Sequence, residues 1–77
     1  MICIATFYSH FGAIRFRQDC RNRGVPARAM PVPRDLSSSC GTCVRFEGEC
    51  PADPPAEVEQ IVEVTDSVYR VLYRAEG

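Results

Sequence analysis

The sequence predicts a single α+β domain spanning residues 1–77, and three observations carry that prediction. Short runs of β-branched, aromatic or alternating apolar residues recur at 2–8, 27–32, 42–46 and 67–74. Two stretches between those runs place apolar residues at helical spacing instead. Serine, glycine and proline punctuate the joins where a chain would turn. At 77 residues one modest core can form, so any site is shallow or shared with a partner.

Ile2, Cys3, Ile4, Phe7 and Tyr8 read as an opening strand, and Ser9 suits the cap of a following helix. From His10 to Arg23, at 100° per residue, Ala13, Phe16 and Cys20 fall on one face and arginines occupy much of the rest. Gly24 stops this amphipathic helix. Phe11 and Ile14 fall off its buried face. Residues 27–32 are extended, with Pro31 and Pro33 confining them to an edge or a turn entry. A loop follows to Gly41. Residues 42–46 alternate, with Thr42, Val44 and Phe46 on one face and Cys43 with Arg45 on the other.

A second helix is expected next. Asp53 ahead of Pro54-Pro55 reads as its start, Val58, Ile61 and Val62 form an i, i+3, i+4 stripe, and Glu57, Glu59 and Glu63 line the water side. Residues 67–74 close the chain as a strand, Tyr69, Val71 and Tyr73 opposing Arg70, Leu72 and Arg74. The order β-α-β-β-α-β predicts a ferredoxin-like sandwich, an antiparallel sheet with two helices on a single face. The other face is then open, carrying Arg28, Arg45, Arg70 and Arg74 with Cys43 among them.

Composition narrows the function classes. No apolar stretch is long enough to span a membrane, and the N-terminus lacks a basic leader with a long apolar run, so a cytoplasmic location is expected. Five cysteines, an odd number, fit poorly with a closed disulfide framework, which makes reduced thiols the default. The net charge of −1 conceals an asymmetry: residues 1–46 carry seven arginines against two acids, and residues 47–77 carry two arginines against eight acids. With no lysine present, Schiff-base chemistry is excluded. A pI near 5.7, and strand positions without exposed aromatics, argue against nucleic acid and for a protein-docking surface. A homodimer contact through Phe11 and Ile14 stays open.

Cys40-Gly41-Thr42-Cys43, behind Ser37-Ser38-Ser39 and Pro31-Val32-Pro33-Arg34, is where reactive sulfur, backbone freedom and positive charge converge. A thiolate reacts and a thiol mostly does not. Ser38, Ser39 and Gly41 could turn backbone N–H groups towards an anion, and Arg34 or Arg45 could stabilise a Cys40 thiolate. Cys43 is placed to resolve a cargo on Cys40 as a reversible disulfide, although this Cys-x-x-Cys runs from a loop into a strand and not into a helix N-terminus. Cys40, Cys43 and Cys50, with His10 or Cys20 as a fourth ligand, would be a metal set, but structural zinc prefers two chelating pairs and only one is present. The fold is therefore expected to need no metal. His10 reads as a helix-start residue, and Cys3 and Cys20 as core. Sulfur carriage, dithiol redox exchange and plain partner binding all remain readings of these residues.

The run Pro31-Val32-Pro33-Arg34, the serines, Cys40-Gly41 and the strand Val44-Arg45-Phe46 just after resemble the putative Se/S carrier-like family of small bacterial proteins. The likeness extends to the aromatic end of the first strand, to Ala13 and to Gly24, and it covers residues 1–46 better than the acidic half. It implies sulfur or selenium carried as a persulfide or selenopersulfide on Cys40, with no resident cofactor, for a donor or acceptor enzyme. The protein would then be an accessory carrier and not a stand-alone enzyme.

Overall fold

A computed structural model describes residues 1–76. The elements run β1 (Ile2–Phe7), α1 (His10–Asn22), β2 (Ala27–Pro31), β3 (Thr42–Glu47), β4 (Val58–Thr65) and β5 (Val68–Arg74). The five strands form one sheet in the order β2-β3-β1-β4-β5, antiparallel at every join. The α+β class stands. One helix forms among the described residues and not two, so the two-helix ferredoxin-like sandwich is not what this chain builds.

The missing helix has a physical explanation. On β1, Thr6 stands opposite Gln60 but Phe7 stands opposite Val58, which leaves Glu59 as an extra residue in β4. A bulge of this kind slips the two-residue alternation by one. Val58 and Ile61 therefore both reach the helix-side core, and Val62 turns to the other face. A strand period broken by one extra residue reproduces the i, i+3, i+4 spacing of a helix. β4 is apolar on both faces because it lies between β1 and β5, and its β-branched content suits a strand.

Helix α1 begins as expected, with Ser9 Oγ accepting the Gly12 N–H at 3.1 Å, and ends before Gly24 at φ +74°, a conformation glycine adopts without strain. It lays Ala13, Phe16 and Cys20 on the sheet, where the Phe16 ring meets Phe7 at 5.3 Å and Phe46 at 5.4 Å. A Cβ on Gly12 would lie 2.6 Å from Glu57 Cβ, so the helix sits hard against the segment entering β4. Cys50, in the connection from β3 to β4, packs against this same core.

The second face, expected to be open, is covered. Val32 and Leu36 of the loop between β2 and β3 pack onto Ile4, Cys43 and Val62, joined by Met30, Val64 and Tyr69. The loop is closed by the Val32 N–H donating to the Gly41 carbonyl at 3.1 Å and turned by Leu36 N–H to the Pro33 carbonyl at 3.0 Å. Tyr69 thus lies under the loop and not under the helix. A second register shift leaves Leu72 as the extra residue of β5, so Leu72 and Tyr73 both pack towards the helix-side core. Arg70 pairs with Glu63 at 2.6 Å, and Arg28 stands opposite Arg45. Among the described residues no helix is long and apolar enough to cross a membrane.

Candidate functional site

The loop that covers the second face delivers Cys40 to the start of β3, half-buried. It is tied down residue by residue. The Ser37 carbonyl accepts from Gln60 Nε2 at 3.2 Å, and the Ser38 hydroxyl donates to the Phe7 carbonyl at 3.4 Å. Ser39 gives its N–H and its hydroxyl to the two oxygens of Glu59, at 3.0 and 2.8 Å. The Cys40 N–H then donates to Ser38 Oγ at 3.2 Å, and Cys40 Sγ accepts the Thr42 N–H at 3.4 Å. His10 Nδ1 lies 3.0 Å from Thr42 Oγ1. Through Phe7 and His10 the loop rests beside the first turn of α1, where the helix dipole favours negative charge.

These bonds revise the anion cradle expected from the serines. The donors of Ser39 are occupied by the Glu59 carboxylate, and Ser38 bridges Cys40 to β1. Glu59 reaches the loop from the bulge, a feature that re-aims a side chain. Gly41 is exposed and a Cβ there would meet nothing within 4 Å, so neither packing nor its backbone requires glycine. Arg34 is exposed in the turn and Arg45 is half-buried in β3. Among the described residues no hydrogen bond or ion pair joins either arginine to Cys40.

Cys43 requires the largest correction. It is fully buried in one cluster with Ile4 and Val62, under the loop, with its Sγ–H donating to the Pro31 carbonyl at 3.7 Å. Loss of solvation there pushes its thiol up to about 11. A neutral thiol with no access cannot resolve a cargo on Cys40 unless the loop lifts. Burial also raises Cys3, Cys20 and Cys50, the first two being core residues as expected. Cys43 and Cys50 pack on opposite faces of the sheet, which separates the three-thiolate metal set. Among the described residues no group of three or more His, Cys, Asp or Glu is spaced to hold a metal.

Beneath the loop a row crosses all five strands: Met30, Cys43, Thr6, Gln60 and Arg74 stand opposite one another in register. Thr6 is wholly buried in this row, and its Oγ1 has no hydrogen-bond partner among the described residues. Sequence reasoning passed over His10 as a helix start and missed Thr42, Glu59 and Gln60. The Cys40-Gly41-Thr42 spacing could have flagged Thr42, whereas nothing local marks Glu59 and Gln60, because the bulge that aims them looks helical in sequence.

A small α+β protein with one half-buried cysteine on a braced loop is the class that fold and site define. The chain belongs to the family described as "Putative Se/S carrier protein-like", which it matches over residues 2–73, including the acidic half. It is 33% identical over 64 residues to the uncharacterized protein YtiA of Escherichia coli (strain K12), covering 82% of this chain and 71% of that protein. No solved structure matches.

Proposed function

We propose that the protein carries sulfur or selenium on Cys40 for a partner enzyme. The observation that supports this is the contrast among its five thiols: Cys3, Cys20 and Cys43 are sealed in the two cores and Cys50 packs against the helix-side core, while Cys40 stands half-buried in a braced surface loop with a backbone N–H donating to its sulfur. The family description points the same way.

Loading is a sulfane transfer without net oxidation. The Cys40 thiolate attacks the outer sulfur of a donor persulfide, a new bond forms between that sulfur and Cys40 Sγ, the donor's sulfur–sulfur bond breaks, and the donor leaves as a thiolate. Release reverses the roles: an acceptor nucleophile attacks the outer sulfur and the Cys40 thiolate departs. The Thr42 N–H supports negative charge on Cys40 in both steps. Selenium follows the same scheme as a selenopersulfide. Cys43 takes no part in it.

Labelled sulfur from a persulfide donor tests the reading. The parent and Cys43→Ser should load and release alike, and Cys40→Ser should take no label. Label retained on Cys40→Ser, or a parent that never accepts sulfur or selenium, would overturn the proposal in favour of a partner-binding module.

A further inference from the structure

The outward side of α1 sets exposed apolar side chains beside arginines. Phe11 is 66% exposed and Ile14 is 37% exposed, with Tyr8 at 46% just before the helix. At 100° per residue His10, Ile14, Arg17 and Arg21 follow one another down a single flank, and Phe11 stands beside its upper end. His10, at the top, touches Thr42 and so borders the Cys40 loop. The strip therefore leads away from the cysteine, apolar first and basic after, over about 16 Å from His10 to Arg21 at the helical rise.

The charges on this strip lack partners. Arg15 pairs with Glu57 at 3.4 Å and Arg23 with Asp19 at 3.1 Å, whereas Arg17 and Arg21 meet no carboxylate among the described residues. The Nε of Arg17 is buried without an acceptor, a donor left unmatched in the isolated chain. A second copy of this basic helix would repel the first. The complementary surface is apolar where it meets Phe11 and Ile14 and acidic about one to two turns further along.

We infer that the outer strip of α1 is the docking surface for a persulfide-bearing protein whose contact face is apolar beside its reactive cysteine and acidic beyond it. The inference rests on the carrier reading and adds the route by which cargo arrives. It also moves the docking surface from the sheet, which the loop covers, to the helix. A partner seated on Phe11 and Ile14 brings its persulfide alongside Cys40, and Arg17 and Arg21 set its orientation and encounter rate.

The experiment compares two donors for the same cysteine. One is a cysteine desulfurase loaded with labelled sulfur on its own cysteine, and the other is glutathione persulfide, which needs no docking surface. The double variant Phe11→Gln with Ile14→Gln changes exposed positions to helix-compatible residues. It should slow transfer from the protein donor by at least about 10-fold, the loss expected when central apolar contacts go. Transfer from glutathione persulfide should stay at the parent rate. Arg21→Glu should slow the protein donor at low salt, with the difference from the parent narrowing as salt rises. Equal rates for parent and variants with the protein donor would overturn the inference, as would a parent that accepts from glutathione persulfide alone. A parent dimer that the double variant dissolves would assign the strip to a second copy and overturn it too. A parent that accepts from neither donor would instead sink the carrier reading, and the docking surface with it.

Discussion

The two faces of the sheet are covered by different means. On one, α1 packs Phe16 between Phe7 and Phe46, and the contact is apolar throughout. On the other, a loop rests on a small apolar patch and is otherwise held by a hydrogen bond from Gln60 and by hydrogen bonds to Glu59 and the Phe7 carbonyl. The first face supplies stability through burial, which has no preferred direction. The second fixes the position of one sulfur, which burial alone would not do. Polar bracing costs some stability, because the row beneath the loop keeps a hydroxyl without a partner.

Phe16→Ala should separate the faces most sharply. It opens a cavity at the centre of the helix-side core and should cost about 3–5 kcal/mol, close to the whole stability of a domain this small. Denaturant titration should find the variant largely unfolded. A loss under about 1 kcal/mol would mean that the helix face is not the stabilising one.

The next effect belongs to Cys43 and appears only in alkali. Its thiol titrates near 9.0 when unfolded and is pushed up to about 11 when folded. The folded state therefore holds its proton more tightly, so stability is complete below about 9 and falls as pH rises from there to about 11. The total loss approaches about 3 kcal/mol. Cys43→Ala should make the decline across that window shallower, leaving the share that the raised Cys3, Cys20 and Cys50 thiols contribute. A parent profile with no decline there, or a decline in the variant as steep as the parent's, would count against a sealed Cys43.

Glu59→Gln addresses the loop directly. Removing the charge that accepts from both donors of Ser39 should cost about 1 kcal/mol, discounted because the contact is exposed. Its clearer signature is faster hydrogen exchange at the Ser39 amide with core amides unchanged. Unaltered Ser39 protection would remove Glu59 as the brace. Thr6→Val, the smallest change, should raise stability by up to about 1 kcal/mol by deleting an unpartnered buried hydroxyl at nearly constant shape. A clear loss of stability would mean that the hydroxyl has a partner in solution.

The helix face was legible in the sequence because its signals are local. Ser9, the Ala13, Phe16 and Cys20 stripe and Gly24 fix α1 without reference to the rest of the chain. The alternation of β3 likewise placed Val44 and Phe46 under the helix and Cys43 with Arg45 on the other side. What failed was non-local. The bulges at Glu59 and Leu72 are set by pairing with β1 and β4, and each shifts a periodicity that sequence alone reads as unbroken. Cys43 was assigned to a solvent-facing sheet because Val32 and Leu36, inside a loop, carry no sign of the surface they cover. The Ser-Ser-Ser-Cys-Gly run reads as a loop in sequence and is one, with Cys40 half-buried in it, but its serines turn out to brace the loop. Its neighbours Glu59 and Gln60 arrive from the far end of the chain.

Mass spectrometry of the native protein, purified without reductant and with the modified cysteine assigned by fragmentation, tests the central claim most directly. Expected is the added mass of one sulfur or selenium atom on the peptide that holds Cys40, removed by a thiol reductant, with the peptide of the Cys43→Ser protein loaded to the same extent as the parent. Cargo found on Cys3, Cys20, Cys43 or Cys50 instead, or no added mass even after exposure to a persulfide donor, would contradict it.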